Sequence, residues 1–283
     1  MTAKAAYRPS RPTAAQRIVW PDDFGTRFTV LVDVEEEFDW HAPLDSRNRA
    51  TTAMAAFPDA HRRFSERGVA LTCMVDHPIA TDPGAVAILR RALEDGRSEI
   101  GAQLHTWVNP PFGDPATRAS SYAGNLPQAA EAAKLAALTG AITSAFGTRP
   151  RAYRADGIVE LPLTTVFTGA ARRGGAGLYR ALGHVPKGRG VFSRARLLSR
   201  IALTPEDMPI AAALEAVAVA AGEGLRLFNL SFHSPSLAPG HTPYVRDAAD
   251  LKRFHGWWGA MLDVFDRRGI RNASLDEIVV ALG

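Results

Sequence analysis

Short runs of β-branched and other apolar residues recur along the chain and predict buried strands. Residues 27–33 follow Gly25, residues 69–75 follow Gly68, and residues 100–105 follow a polar stretch. Three further runs lie at residues 151–155, 158–163 and 225–232. Runs of this length, bounded by glycine or polar residues, are typical of the short strands of a buried sheet.

Stretches with apolar residues three or four positions apart predict helices, most of them between these strands. The predicted helices cover residues 51–67, 83–95 and about 126–146, and others begin near residues 205, 247 and 274. Asp82 and Pro83 have the residue types of a helix N-terminus, and Thr204 is the predicted N-cap of the helix that starts at Pro205. Alternating strands and helices predict an α/β fold with a parallel sheet, either open or closed into a barrel.

The composition is that of an ordinary globular protein. The chain has 283 residues, of which 46% are hydrophobic and 22% charged, enough apolar material for one large domain or two small ones. The longest helix-like stretch without charge, residues 135–148, has 14 residues. A bilayer span needs about 18 residues, so we expect no membrane span.

The cellular location is predicted from what the sequence lacks. The single cysteine, Cys73, excludes an internal disulfide framework and a zinc site built from several cysteines. No apolar run of signal-peptide length precedes Pro21. These features favour a cytoplasmic protein.

The net charge of +4 conceals two basic stretches. Residues 1–27 hold five Lys or Arg against two acids, and we interpret residues 1–25 as a basic leader before one domain at 26–283. Residues 170–200 hold eight Lys or Arg and no acid, which predicts either a solvated, peripheral and mobile region or a contact to an anionic saccharide, a lipid headgroup or nucleic acid. Because no nucleic-acid-binding motif accompanies it, a nucleic-acid partner is not expected.

Carboxylate and imidazole side chains stand where the predicted strands end. In parallel sheets the carboxyl ends of the strands carry the functional residues, so these side chains are expected to converge. Such a set is typical of a metal-assisted or acid–base site. Each residue also has a structural interpretation, for example Asp76 as a helix cap and His77 as a turn residue. The set is Asp33, Glu35, Asp76, His77, His105, Arg154, Asp156 and His233.

Four segments, which contain six of these eight residues, resemble the motifs of the polysaccharide deacetylase family, the NodB-homology domain, and most of all its WalW subgroup. They are residues 28–38, 100–111, 153–157 and 230–237. The resemblance extends from about residue 26 to the C-terminus. It implies a distorted (β/α) barrel that removes N-acetyl groups from sugars with one divalent metal ion, for which Zn, Co or Mn are expected.

The resemblance also implies roles for individual residues. Asp33 is similar to the catalytic base, and Glu35 and His105 to metal ligands. Asn109 stands where the family has a second histidine and is the third expected ligand. Because an amide oxygen is a weaker ligand than imidazole for zinc-like metals, either Glu35, His105 and water hold the ion with help from Asn109, or the ion is not held tightly. Glu36, Glu37 and Asp39 are further acids that could substitute for Asp33 or Glu35, or could be solvated.

The remaining motif residues are predicted to complete the catalytic and substrate-binding groups. Arg154 resembles the arginine that holds the catalytic carboxylate ionised, and His233 resembles the general acid that protonates the leaving amine. Trp107 and His241 are the predicted substrate-binding residues. A surface arginine and a buried structural histidine are the alternative interpretations of Arg154 and His233.

The chain also departs from the family after Gly157. Only two residues separate the strand-like runs at 151–155 and 158–163, although a parallel crossover needs about a dozen. Compared with the family, at least one helix and strand of the barrel are missing here, so the resemblance implies a barrel with an incomplete wall.

We therefore expect a metal-dependent hydrolase that deacetylates an N-acetylated saccharide with residual activity. The alternatives are a catalytically weakened or inactive barrel that binds a saccharide or a protein, and a glycoside hydrolase that uses two acids without a metal.

Overall fold

A parallel β-sheet forms the centre of the molecule. The computed structural model describes residues 18–154 and 161–282. The strands of the molecule are β1 (Arg27–Val34), β2 (Leu71–Val75), β3 (Glu99–Gln103), β4 (Tyr153–Arg154), β5 (Thr165–Thr168), β6 (Ser199–Ala202), β7 (Leu227–His233) and β8 (Arg271–Asn272). The central sheet has the strand order β4-β3-β2-β1-β7, and β8 pairs with the start of β1. Every pair within this sheet is parallel, as the alternation of strands and helices predicts.

Nine α-helices occur in the described residues. They are α1 (Phe57–Ser65), α2 (His77–Thr81), α3 (Pro83–Ala92), α4 (Gln128–Phe146), α5 (Gly175–Leu182), α6 (Gly188–Arg194), α7 (Ile210–Gly222), α8 (Ala248–Arg268) and α9 (Leu275–Ala281). Asp82 accepts a hydrogen bond from the Ala85 amide and caps α3, as predicted. Asp247 and Ser274 cap α8 and α9, so the predicted starts of these helices are confirmed.

The predicted helix start at Pro205 is wrong. Thr204 accepts a hydrogen bond from the Glu206 amide two residues later, which forms a tight turn instead of a helix cap. Asp207 then adopts a positive φ of 63°, a conformation that cannot continue a helix. Helix α7 therefore begins at Ile210, directly after Pro209.

The prediction of a strand at residues 158–163 is wrong for its described part and lies outside the described residues for 158–160. Residues 161–164 form no regular strand, but two hydrogen bonds join Thr164 to Asn229 of β7. The amide of Thr164 donates to the carbonyl of Asn229 at 2.8 Å, and the amide of Asn229 donates to Thr164 Oγ1 at 2.8 Å. The chain then forms an antiparallel pair, β5 with β6, that the sequence pattern did not indicate. Barrel closure is not seen in the residues that the structure describes; there the sheet is open, with β4 and β7 at its edges.

The main hydrophobic core packs against one face of the sheet. Val30, Val32 and Val34 of β1 are almost completely buried, as expected for the central strand of a parallel sheet. Phe232 of β7 packs against Phe254 and Trp258 of α8. This packing fixes the carboxyl ends of β1 and β7 side by side, with Asp33 opposite His233.

The residues directly before β1 are part of the fold. Trp20 stacks on Phe24, which packs with Leu227 of β7, so the chain joins the fold a few residues before β1. The first 17 residues of the predicted leader lie outside the described residues.

None of the helices described here is both long and apolar enough to cross a bilayer.

Candidate metal centre and catalytic site

Three acidic side chains at the end of β1 are buried. Asp33, Glu35 and Glu36 are 0%, 2% and 0% exposed. Strand β1 runs between β2 and β7, so its carboxyl end is enclosed by two neighbouring strands. The acidic side chains there are therefore buried. Ionised carboxylates are costly to bury without a compensating positive charge. The groups around these carboxylates therefore indicate what the carboxyl end of the sheet can bind.

One group of side chains at this edge could hold a metal ion. Glu36, Asp76 and His105 each offer a ligand atom, and these atoms lie within 4.8 Å of one another. The Nδ1 atom of His105 is 2.9 Å from Glu36 Oε2 and 3.9 Å from Asp76 Oδ2. Two carboxylates and one imidazole form a donor set that suits a divalent transition metal.

Asp76 has two structural bonds besides its place in this group. It caps α2 by accepting a hydrogen bond from the Ile79 amide, and its other oxygen accepts one from the Glu36 amide at 2.8 Å. The helix-cap interpretation is therefore confirmed, yet the same side chain also faces His105. Asp76 was predicted to stand at a strand end but was not among the predicted ligands, and Glu36 was predicted only as a substitute for Asp33 or Glu35.

Glu35 lies on the other side of His105. Its Oε2 atom is 3.4 Å from His105 Nε2, and Gln103 Nε2 lies within hydrogen-bond distance of both, at 2.9 Å and 2.7 Å. When Gln103 donates a hydrogen bond to His105 Nε2, the neutral imidazole carries its proton on Nδ1. The Nδ1–H group then donates a hydrogen bond to Glu36. Gln103 thus orients both Glu35 and His105, a role that its place on the end of β3 could have suggested.

His233 and Asp33 form a second part of the site. His233 Nε2 is 3.5 Å from Asp33 Oδ2, and its Nδ1 is 2.7 Å from Glu206 Oε2. Glu206 also accepts hydrogen bonds from the His233 amide at 3.1 Å and from Ser236 Oγ at 2.6 Å. Glu206 was missed because its segment was predicted to be helical, whereas the turn at Thr204 directs it toward β7.

Three carboxylates of this site have raised pKa values. Burial raises the pKa of Glu35 to about 7, the histidines His233 and His105 lower it, and the negative charges of Asp33 and Asp76 raise it further. Burial likewise raises the pKa of Glu36 to about 7 and that of Asp76 well above its usual range. A bound cation would favour the ionised forms of all three groups.

His233 shows the opposite balance. Burial lowers its pKa, but the negative charges of Glu35, Glu206 and Asp33 and the hydrogen bond to Glu206 outweigh burial and raise the pKa to about 10. The imidazole is therefore protonated at neutral pH. A protonated imidazole beside a carboxylate is the arrangement that a general acid requires.

Asn109, the predicted third ligand, is held by a different part of the molecule. Its side-chain nitrogen donates to the carbonyl of Lys134 at 2.9 Å and to that of Pro110 at 2.6 Å. No hydrogen bond joins Asn109 to Glu35 or His105 in the described part of the chain. Its Oδ1 atom is buried without a hydrogen-bond partner among the same residues, so its ligand role stays a prediction.

Aromatic side chains form a rim around the two histidines. Trp107, predicted to bind substrate, stacks on His105 with ring centroids 4.3 Å apart. Trp40 meets His233 edge to face at 5.0 Å and also contacts Tyr244. Phe38 contacts both Trp40 and Trp107, so the rim is continuous from one histidine to the other.

The last two predicted residues differ in what the structure describes of them. His241 Nδ1 is 3.1 Å from Glu37 Oε2, and Glu37 is also held by Thr52 and by the amide of Ala53, so this pair joins two loops near the rim. The backbone of Arg154 pairs with Gln103 at the end of β3. The side chain of Arg154 lies outside the described part of the structure, and so does Asp156; their predicted roles are not tested.

The comparisons with known proteins do not identify the chain: no protein-family model matches it, and neither does any curated protein.

Proposed function

We propose that the protein is a divalent-metal-dependent hydrolase that removes N-acetyl groups from a saccharide, on a fold of the deacetylase (β/α)-barrel type. One observation supports this proposal most. The metal-capable group of Glu36, Asp76 and His105 and the acid–base pair of Asp33 and His233 lie at the same edge of one sheet, next to Glu35.

The residues fit a resident metal ion. Glu36, Asp76 and His105 would hold it, and the Oε1 atoms of Glu35 and Glu36 are buried without hydrogen-bond partners among the described residues. Such orphaned carboxylate oxygens are costly unless a cation satisfies them. Imidazole and carboxylate ligands together suit Zn, Co or Mn. The ion, when bound, polarises an acetyl carbonyl or lowers the pKa of a water molecule.

The chain's own residues supply proton transfer and orientation. Asp33 accepts the proton of the attacking water, since it faces the site from the end of β1 without belonging to the metal-capable group. His233, protonated at neutral pH, donates its Nε2 proton to the leaving amine. Glu206 fixes the imidazole ring of His233 by accepting a hydrogen bond from its Nδ1–H group, so that Nε2 points toward Asp33.

Acetate release from a small N-acetyl sugar tests the proposal. Protein freed of metal with a chelator should regain activity on addition of Zn²⁺, Co²⁺ or Mn²⁺. Asp33→Asn should lower kcat by about 100- to 10,000-fold because the general base is lost. Glu36→Gln should instead weaken metal affinity by at least about tenfold. Asp39→Asn, an exposed acid in the same loop, is the matched control and should change neither quantity.

Three results would contradict the proposal. Metal binding without acetate release from any N-acetyl sugar would favour a saccharide- or protein-binding module. Cleavage of glycosidic bonds that needs Asp33 but no metal would favour a glycoside hydrolase. Acetate release that is insensitive to both metal and Asp33→Asn would exclude this site as its source.

A further inference from the structure

The segment between β5 and β6 is an outlying unit of the fold. It contains α5 and α6, and its start is bonded to its end, since the amides of Ala170 and Ala171 donate to the carbonyls of Arg196 and Leu197. Within residues 170–200 the buried apolar side chains are Leu182 and Leu198, and neither belongs to the main core. The unit joins the core through its strands, where Val166 and Ile201 are buried.

The charge of this unit is entirely positive. No Asp or Glu occurs from residue 161 to residue 205, and all eight Lys or Arg of residues 170–200 are at least partly exposed. In the described part of the chain, Arg172 pairs with Glu223 at 3.2 Å, and none of the other seven cations has a carboxylate partner. The predicted peripheral position of the region is therefore confirmed.

Apolar side chains stand exposed among these cations. Val185, Val191 and Leu197 are 55%, 56% and 38% exposed. On α6, Val191 precedes Arg194 by three residues, so these two side chains share one face of the helix. Lys187 lies directly before the helix and is exposed. Leu197 follows the exposed Arg196 directly. Cations that flank exposed aliphatic side chains are the pattern of a surface that lies on a membrane.

We propose that this basic unit, residues 170–200, docks the protein on the surface of an anionic lipid bilayer. The positive charges attract acidic headgroups, and Val185, Val191 and Leu197 enter the interface between headgroups and acyl chains. A nucleic acid would satisfy the charges but would leave these aliphatic side chains in water. The exposed valines therefore favour lipid over nucleic acid as the partner.

Vesicle flotation with the full chain tests this proposal. We expect binding to vesicles that contain phosphatidylglycerol, no binding to phosphatidylcholine alone, and weaker binding as salt is added. The triple variant Lys187→Gln, Arg194→Gln and Arg196→Gln should bind about 100-fold more weakly, since each cation near the surface contributes about fivefold. The variant Arg63→Gln, Lys252→Gln, Arg268→Gln removes three exposed cations elsewhere and should bind as the parent does; residues 1–27 are unchanged in both.

A second variant separates lipid from other polyanions. Val191→Ser keeps every charge but removes an exposed apolar side chain. It should therefore weaken vesicle binding by at least about threefold and leave any binding to duplex DNA unchanged. The proposal is overturned if the parent does not bind anionic vesicles, if the triple variant and its control bind equally, or if Val191→Ser binds vesicles as the parent does. In the last case the surface is a general polyanion site.

Discussion

At the scale of single residues, the site is a balance between buried acids and the charges that compensate them. Asp33, Glu35, Glu36 and Asp76 are all at most 2% exposed, and nitrogens of the His105 and His233 imidazoles lie 2.9 to 3.9 Å from their carboxylate oxygens. Burial raises the pKa values of Glu35, Glu36 and Asp76, and the acidic neighbours of His233 outweigh burial and raise its pKa.

Glu206 should set the pH range in which His233 works as an acid. Because negative charge raises the pKa of His233 to about 10, Glu206→Gln should lower that pKa while keeping a hydrogen-bonding side chain. Activity needs the protonated imidazole, so the alkaline loss of kcat/KM should begin at lower pH in the variant. A pH–rate profile measures this shift. Glu215→Gln, an exposed change on α7, should leave the profile unchanged, and an unchanged profile in Glu206→Gln would rule out this role.

The metal-free protein should lose stability as the pH rises through about 7. The pKa of Glu36 is raised from 4.5 to about 7 on folding, so between these two pH values the folded state keeps a proton that the unfolded state has released. The resulting contribution to stability is fully present below about pH 4.5. That contribution is lost as the pH passes the folded-state pKa. The Tm of chelated protein should therefore be lower at about pH 8 than at about pH 6, and added Zn²⁺ should restore it at about pH 8.

Glu36→Gln checks this interpretation of the stability. The amide cannot ionise, so the metal-free variant should be more stable than the parent at about pH 8 and should gain less from Zn²⁺. Asp39→Asn, which is exposed, should follow the parent. A metal-free parent that is stabilised by rising pH across this range would contradict the assigned direction of the Glu36 pKa.

At the scale of secondary-structure elements, α4 holds the loop that carries the aromatic rim. Lys134 is 1% exposed, and its ammonium donates to the carbonyls of Thr106, Asn109 and Pro111 at 3.1, 3.0 and 2.6 Å. A helix residue thus fixes the backbone directly after His105. The loop position of Trp107 depends on this contact, since no regular strand or helix covers residues 104–111.

Replacing Lys134 with methionine should loosen this loop. The apolar side chain fills a similar volume but leaves three carbonyls without their donor, which should lower the free energy of unfolding by about 2–4 kcal/mol. Urea unfolding measures the loss, and hydrogen exchange should accelerate at residues 106–111. Lys252→Met, an exposed change on α8, should have little effect. Unchanged exchange in the Lys134 variant would show that the loop is held by other contacts.

The same elements explain what could be predicted from the sequence. Strands β1, β2, β3 and β7 contain short apolar runs, so their carboxyl ends and the meeting of Asp33, Glu35, His105 and His233 were predictable. Glu206 was not, because the turn from Thr204 to Pro209 depends on a positive φ at Asp207 that the sequence does not reveal. The contact of Asn109 was not predictable either: its side-chain nitrogen donates to the carbonyl of Lys134, which lies 25 residues further along the chain.

At the scale of the whole molecule, the chain combines a buried parallel sheet with an exposed basic unit that interrupts an antiparallel pair of strands. Thr168 of β5 lies directly opposite Ser199 of β6, so residues 169–198 are an insertion at the tip of this pair. The strands themselves are tied to the rest of the fold, since Val166 and Ile201 belong to the main core and β6 leads into the turn that carries Glu206. The insertion should therefore be separable from the site.

Replacing residues 169–198 with Asn-Gly tests this separation. A two-residue turn of this type joins antiparallel strands that face each other, as Thr168 and Ser199 do. Since only Leu182 and Leu198 are buried apolar residues of the insertion and both pack outside the main core, the shortened protein should fold, bind Zn²⁺ with the parent's affinity and keep metal-dependent acetate release. It should at the same time no longer bind vesicles that contain phosphatidylglycerol. Calorimetric titration with Zn²⁺ and vesicle flotation on the same preparation measure both properties, and a folded shortened protein that has lost Zn²⁺ binding would mean that the insertion supports the metal centre after all.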